Sequence, residues 1–509
     1  MRNKLSKYII IIIVLVWGSI VLNLKQWNDD TFFSYDFNNY YSYLPALIIE
    51  KDFSFNYRHQ ERFSAVKHKV LGVEFENGRF APKMSMGVAI LLTPFFILAH
   101  FFSLLFGFPG DGFSILYKVF ITFGHLFYSA LGLIYLRKVL LKYFSDFAVC
   151  ATLVTLAFCT NFFHYSVVEI GMSHTYSFFL FVIFLWNVIG WHNNPNRRLS
   201  IITGIIYGLI VLVRPTNGLV AIMFILFNVF SLKSFEEKLN IYLQNKTNLI
   251  FLILFAIITV LPQILYWKYV ADVFFFFSYG DEGFFFSNPQ FYNGLFSYRK
   301  GWLIYTPVMI FSLVGIFMLY RSKKEWLFGI TTFVMVNFFV VFSWWCWWYG
   351  ASFGQRALIE SYAVLAIPMA MFFHILSKKE YLRVISLIII VFSGALNLVQ
   401  TKQYQLSIHY NAMTEEAYWK FFYNKEEYKI PYEVNKFLKS PDLDAALSGD
   451  VEFNNPEYDK KQVLIRAEII RGNNDWFDLI KKEAKENNEN VDSFLLRYSK
   501  DYNNNNKIE

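Results

Sequence analysis

The chain opens with YIIIIIVLVWGSIVLNL (Tyr8 to Leu24) and returns repeatedly to runs of the same kind, LIFLILFAIITVLPQIL (Leu249 to Leu265) among them. Runs of roughly 17–25 apolar residues are what a helix needs to cross a hydrocarbon core about 30 Å thick. Inside that core each backbone N–H and C=O must be satisfied within the protein, which leaves helices as the natural spanning form for such runs. One soluble core cannot absorb so many of them. Composition agrees, since 55% of the 509 residues are hydrophobic and only 17% are charged, well below the charge of ordinary soluble domains. The expected fold class is an all-α polytopic membrane protein.

Candidate spans lie near 8–24, 113–136, 147–163, 174–191, 200–213, 217–232, 247–270, 302–320, 326–343, 357–377 and 381–399. The first is followed by Lys25, Gln26 and Trp27 and not by a small-residue cleavage site, so it reads as an uncleaved helix. A further apolar stretch, Met86 to Phe106, contains Pro94. If it does not cross, the inner loops hold Arg137, Lys138, Lys142, Arg197, Arg198, Lys233, Lys238, Lys246, Arg321, Lys323, Lys324, Lys378 and Lys379, and the outer loops hold only isolated cations. If it crosses, that asymmetry inverts. The positive-inside rule selects the first option: about eleven spans, N-terminus inside and C-terminus outside.

On this topology residues 1–400 form the membrane domain, with a large first outer loop at 25–86 carrying interfacial helices. Residues 401–509 form a polar, slightly acidic outer segment, small and helical. Ile465, Ile469 and Ile470 with Trp476, Leu479 and Ile480 suggest a helical hairpin there, and Asn503 to Asn506 an unstructured end. The net charge of +8 is spread over short connectors, which excludes a nucleic-acid surface as its explanation. Cys150, Cys159 and Cys346 lie in or beside apolar segments and form no disulfide or thiolate framework. No internal repeat is visible.

The polar residues capable of chemistry collect on the outer face. In YDFNNYYSYLPA, Asp36 begins a helix in which Asp36, Tyr40, Tyr43 and Leu47 share one face, with Pro45 allowing a bend or restart. An aromatic helix just past the first span suits the interfacial plane. Asp36 is a candidate general base; a helix N-cap is the competing use. Arg79 and Lys83 precede the non-crossing stretch, as snorkelling anchors or, for Lys83, as a contact to lipid phosphate. His164, Glu169 and His174 offer metal-ligand types, but their spacing matches no zinc pattern. A polar contact to sugar or phosphate is the reading adopted for His174. Arg214, in VLVRPTNG, is a charge at the end of a span and needs a partner or a cavity. Asp281 and Glu282 supply further carboxylates. Arg299 and Lys300 stand against the positive-inside bias, so either an anionic ligand or the pair Asp281 and Glu282 offsets them. In SWWCWWYGASFGQRALIESY an aromatic belt explains the tryptophans, while Gly350, Gly354 and Arg356 form a turn suited to a phosphate.

The order of parts resembles the GT-C superfamily of integral membrane glycosyltransferases, among them protein O-mannosyltransferases and aminoarabinose transferases. A first span is followed by an outer loop with an early acidic residue in YDFNNYYSYLPA, then a multi-span bundle and a hydrophilic C-terminal segment. The resemblance covers roughly residues 1–400 in architecture, and Asp36 is the residue that maps onto a family motif. Many members carry paired acidic residues in this loop, where Asp36 is followed by Phe37, and the His-Pro-Pro turn of some relatives is absent.

The resemblance implies transfer of a sugar, with inversion, from a polyprenyl-phosphate carrier to a glycan, lipid or protein acceptor outside the cytoplasmic membrane. Asp36 is then the base. Lys83, His174, Arg214, Asp281, Glu282, Arg299, Lys300 and Arg356 bind substrate, with membrane lipids as surroundings and no nucleic-acid partner. No cofactor is required; a divalent metal is compatible with the family. The rival is a flippase or transporter of lipid-linked sugar, which calls for mid-span ionisable residues and repeats. His125 and Asn337 are the notable polar positions within spans.

Overall fold

A computed structural model describes residues 4–60, 70–422, 438–449 and 471–505, apart from positions 407, 410, 440, 472, 473 and 488. Its helices in chain order begin with α1 (Leu5–Leu24), α2 (Tyr35–Tyr41), α3 (Gly87–Leu105), α4 (Ile115–Leu140), α5 (Asp146–Phe158) and α6 (Phe162–Val167). They continue with α7 (Ser173–Asn193), α8 (Arg197–Val213), α9 (Ala221–Leu226), α10 (Leu232–Gln244), α11 (Lys246–Ala271), α12 (Phe291–Phe296) and α13 (Trp302–Tyr305). The remainder are α14 (Ile310–Ser322), α15 (Lys324–Phe342), α16 (Tyr362–Leu376), α17 (Glu380–Gln405), α18 (Glu415–Phe421), α19 (Leu443–Leu447), α20 (Asn474–Glu486) and α21 (Val491–Asn505). Among the described residues one short hairpin, β1 (Gly72–Glu74) with β2 (Phe80–Pro82), is the only paired sheet. The protein is an all-α polytopic membrane protein.

Among the described residues seven helices are long and apolar enough to cross a bilayer, and four apolar helices are shorter. Gly87–Leu105, long enough to span as its sequence suggested, is among the seven, and the 17-residue Arg197–Val213 is in neither group. The chain divides into two compact units: residues 1–280, 308–338 and 357–394, and residues 281–307, 339–356 and 395–509. Two loop segments thus join the C-terminal residues in the second unit.

In the first unit, α1 and α4 are antiparallel. Arg137 near the end of α4 donates to Ser6 Oγ (2.8 Å), and Asp146 at the start of α5 accepts from Leu5 N–H (3.1 Å). At the other end Lys118 Nζ donates to the Asp29 carbonyl (2.7 Å) and Trp27 stacks on Phe123. The face of Ser6, Arg137 and Asp146 also holds His374 at the end of α16, which accepts from Ser145 N–H (3.3 Å); it is called the basic face below, and the other the far face. Helix α7 runs parallel to α4 but starts level with His125 and Tyr128, as the Tyr176 contacts show. That is ten residues along α4, or about 15 Å below the far face.

Several neighbours stop at the same depth. Helices α5, α16 and α8 contain 13, 15 and 17 residues, so they rise only about 20 to 26 Å from the basic face, short of a full hydrocarbon thickness. Tyr362 at the top of α16 donates to Asn161 just past α5 (2.7 Å). Helix α3 lies antiparallel to the first part of α4, with Leu91 beside Tyr128 and His100 beside Tyr117. A Cβ on its first residue, Gly87, would overlap the backbone of Leu212 and Val213 at the end of α8. The start of α3 is therefore recessed too.

Small residues and hydroxyls make this packing possible. Gly204 and Gly208 let α8 lie against the backbone of α11 at Leu252 and Ala256, the small-residue spacing that brings membrane helices together. Pro94 and Pro368 sit inside α3 and α16 without ending them. In each case the carbonyl three residues earlier accepts a hydroxyl from a neighbouring helix: Leu91 from Tyr128 (2.6 Å) and Leu365 from Ser312 (2.5 Å). These hydroxyls tie each proline-bearing turn to a neighbouring helix. Helices α7 and α16 form the centre of this unit, whereas α11 buries Gln263, Tyr266 and Val270 and leaves most of its apolar length exposed.

In the second unit, residues 283–290 lie along 342–345, with Phe285 N–H donating to Ser343 O (2.6 Å) and Trp345 N–H to Gly283 O (3.0 Å). Ile408, Ala412, Met413, Ala417, Tyr418 and Phe421 form a small core against Tyr298 and Ile304. Helices α20 and α21 pair through Ile480, Ala484, Phe494, Leu495 and Tyr498. The hairpin expected from sequence began at Ile465, Ile469 and Ile470, which lie outside the described residues. Asn503 to Asn505, expected to be unstructured, continue α21; Asn506 lies outside the described residues.

Candidate functional site

At the recessed depth of the first unit three ionisable side chains meet. Glu360 stands two residues before α16, His174 in the first turn of α7 and Arg214 at the end of α8. Glu360 Oε2 is 3.0 Å from His174 Nδ1, and Glu360 Oε1 is 3.4 Å from Arg214 Nη1. Glu360 and His174 are buried, while the Arg214 side chain keeps 22% exposure. Arg214 Nη1 also lies 3.2 Å from His174 Nδ1. One assignment satisfies both contacts to Glu360: Nδ1–H and Nη1–H each donate to the carboxylate, one to each oxygen. A neutral imidazole then leaves the cluster without net charge, which low-dielectric surroundings require.

The surrounding residues are polar and interlocked. Asn217, in the turn after Arg214, donates to Ser177 Oγ one turn along α7 (2.9 Å). His125 donates from Nε2 to the Tyr165 carbonyl (2.8 Å) and accepts Gly171 N–H at Nδ1 (3.3 Å). Gly171 has φ +95° and a Cβ there would overlap the Phe37 ring of α2, so glycine is what allows α2 to close on this loop. His125 thus serves the backbone of the loop that leads into His174.

Helix α2 carries Asp36 in its first turn; Ser34, not Asp36, is the N-cap residue. A carboxylate there complements the helix dipole. Asp36 is half-buried. Asp36 and Tyr40 share a face, and Tyr40 donates to or accepts from Ser173 Oγ at 3.1 Å, next to His174. The helix is covered by protein on its aromatic side. Tyr40, Tyr41 and Tyr43 are buried, and their hydroxyls engage Ser173, the Gly112 carbonyl and the Met84 carbonyl. Pro45 opens a π-helical turn over Pro45–Ile49, the restart expected there.

The remaining candidates divide between the units. Lys83 follows β2; its ammonium lies 5.1 Å from the centre of the Tyr279 ring and its carbonyl accepts from Ser278 (2.5 Å). Arg79 stacks on Tyr269 and donates to the Tyr269 carbonyl (2.6 Å), the use of an anchor. Asp281, Glu282, Arg299, Lys300 and Arg356 belong to the second unit. Arg299 is buried and donates to the carbonyls of Asn411 and of Lys439 (3.0 Å). Lys300 donates to the carbonyls of Ser352 and of His409 (2.7 Å). Both cations therefore hold backbone of their own unit. Burial lowers Arg299 to about 10. Glu282 and Arg356 act in opposite senses on the buried Cys346 thiol, which burial pushes up to about 12.

His164 Nε2 pairs with Glu169 (3.2 Å), whereas His174 pairs with Glu360. The three residues weighed as metal ligands are thus split between two partners. Among the described residues no group of three His, Cys, Asp or Glu is placed to hold a metal ion. Glu360 is the residue that sequence reasoning missed. Its signal was a carboxylate immediately before the apolar run YAVLAIPMAMFF, a costly place for a charge without a partner.

No protein-family model matches the chain, and no curated protein matches it. Among solved structures it is similar to the crystal structure of the Archaeoglobus fulgidus oligosaccharyltransferase in complex with Zn and sulfate, at a TM-score of 0.46 and 15% sequence identity. The match covers 84% of this chain and 56% of that one, so the chain spans little more than half of its length.

Proposed function

We propose that this protein is a membrane glycosyltransferase that moves a sugar from a polyprenyl-phosphate carrier to an acceptor on the outer side of the cytoplasmic membrane. The observation that carries the reading is the recessed Glu360–His174–Arg214 cluster beside the helix of Asp36. A carboxylate and a guanidinium are thereby gathered in one unit, at a depth that a lipid-borne phosphate reaches from the bilayer. Asp36 takes the proton of the acceptor hydroxyl as its oxygen attacks the anomeric carbon. The bond from that carbon to the phosphate oxygen breaks, and the carrier phosphate leaves with the electron pair. Arg214 stabilises the charge on the leaving phosphate, with Lys83 as a second cation of the same unit. A single displacement inverts the anomeric centre. The far face is then the outer one, and the basic face is cytoplasmic by the positive-inside rule.

The same cluster also favours a second reading. Buried ionisable groups below the membrane surface are the feature expected of a carrier of lipid-linked sugar. Purified protein in liposomes with labelled lipid-linked sugars separates the two. The transferase attaches label to an added acceptor, and detergent-solubilised protein does the same. A flippase moves label between leaflets, leaves it on the lipid, and shows no activity in detergent.

A further inference from the structure

Helix α10 connects α9 to α11, and its sequence LKSFEEKLNIYLQ divides into three adjacent sectors at 3.6 residues per turn. The first faces protein. Ser234 and Lys238 are buried, the Lys238 ammonium lies beside the rings of Phe227 and Tyr242, and Tyr242 donates to the Phe224 carbonyl (2.8 Å). The second holds Lys233, Glu236, Glu237, Asn240 and Gln244, all exposed and polar. The third is apolar and equally exposed: Leu232 at 85%, Phe235 at 42%, Leu239 at 45% and Leu243 at 70%. Those four positions, at i, i+3, i+7 and i+11, form one continuous stripe.

Its place in the chain restricts what can cover this stripe. Trp191 and His192, at the basic-face end of α7, pack on Tyr242. Arg197 at the start of α8 lies over Phe251 near the start of α11. The helix therefore sits at the basic face, one residue before a membrane-spanning helix. Thirteen residues with so many charges do not cross. Both flanks are exposed and apolar as well, with Phe230 at 57% before the helix and Ile250 at 61% after it. The Ser231–Ser234 capping box closes its N-terminal N–H groups without help from another element.

We infer that α10 lies in the plane of the basic-face leaflet, with Leu232, Phe235, Leu239 and Leu243 in the acyl-chain boundary and Lys233, Glu236 and Glu237 in water. The partner of this surface is the lipid bilayer. The three sectors match three surroundings, protein, lipid and water, which is the pattern of an in-plane amphipathic helix. The inference is independent of the transferase reading.

Single cysteines at Leu239 and at Leu243, and a third at Glu237, each labelled with an environment-sensitive fluorophore, test it in proteoliposomes of phosphatidylethanolamine and phosphatidylglycerol. The native cysteines are buried, so the label reports the new sites. The expected result is blue-shifted emission at Leu239→Cys and Leu243→Cys that is largely lost with lipids carrying a doxyl quencher near the headgroup, while Glu237→Cys is quenched by aqueous iodide. Iodide quenching at all three sites overturns the inference. Blue-shifted emission at the leucine sites that doxyl lipids leave intact also overturns it, and assigns the stripe to a second copy or another protein.

Discussion

Glu360 Oε2 accepts from His174 Nδ1 at 3.0 Å across 186 positions of sequence, and its other oxygen accepts from Arg214. The contact gives each of three costly groups a partner. Replacing Glu360 by Ala removes the carboxylate that a guanidinium and a buried imidazole share. Breaking a buried pair from one side costs roughly 3–5 kcal/mol, and the partial exposure of Arg214 puts the expected loss near the lower figure. Glu360→Gln keeps an acceptor for either partner and is expected to lose less. Thermal unfolding in detergent orders the three proteins; equal stability of wild type and Glu360→Ala would contradict the assignment.

Gly171 predicts a second effect. A side chain there requires φ near +95° and overlaps Phe37. Backbone strain of this kind costs about 1–3 kcal/mol, before any displacement of α2. Gly171→Ala is therefore expected to lower the unfolding temperature and to impair sugar transfer, because α2 carries Asp36. Gly350→Ala also has positive φ, but nothing within 4 Å of its Cβ, so it bears only the conformational cost. Equal losses from the two substitutions would remove the argument from the Phe37 contact.

Arg299 offers a test of how the second unit is held. Its guanidinium serves the carbonyls of Asn411 and Lys439, and hydrogen bonds to charged groups are worth about 1.5–3 kcal/mol each. Arg299→Ala is expected to expose residues 411–422 to limited proteolysis, and Arg299→Lys to do so in part, since lysine lacks the fork that reaches two acceptors. Unchanged protease resistance together with weaker donor binding would instead mark Arg299 as a phosphate ligand.

His409 makes the second unit sensitive to pH. Burial, and then the nearby Lys300, push its pKa down to about 3, against an ordinary value of about 6.5. In the fold the ring stays neutral, with Nε2–H donating to Gln403 Oε1 (2.7 Å) and Nδ1 facing the Tyr305 hydroxyl (3.2 Å). Below about 6.5 the unfolded chain takes up a proton that the folded one does not. Stability is therefore complete above the ordinary histidine range and falls with pH, by about 1.4 kcal/mol per unit for one such group. Between pH 6.5 and 5, the wild type should lose protease resistance in residues 395–422 faster than His409→Gln. Parallel losses in the two proteins would contradict the shift.

Hydropathy was enough to read the seven long apolar helices because a bilayer imposes a length on them. Pro45, Asp36 and the helix around them were legible from local rules. The recessed level was not, since apolar length alone does not tell which helix ends stop below the surface. The meeting of Glu360 with Arg214, 146 residues apart, depends on how α7, α8 and α16 pack. The hydroxyls of Tyr40, Tyr41 and Tyr43 each find a protein partner, and those partners were not readable from local sequence. Arg299 and Lys300 stood out correctly against the charge bias, yet backbone carbonyls answer them, and carbonyl positions leave no trace in sequence. The stripe on α10 was readable in LKSFEEKLNIYLQ, but the segment stood in the sequence reading as a basic connector.

The central claim, that Asp36 is the base of a sugar transfer, is tested most directly with purified protein, labelled bacterial lipid extract, and the Asp36→Asn variant. The account predicts transfer by the wild type and a loss of about a hundredfold or more in the variant, the usual weight of a general base, with unfolding temperature unchanged. Transfer at the wild-type rate by well-folded Asp36→Asn would contradict it.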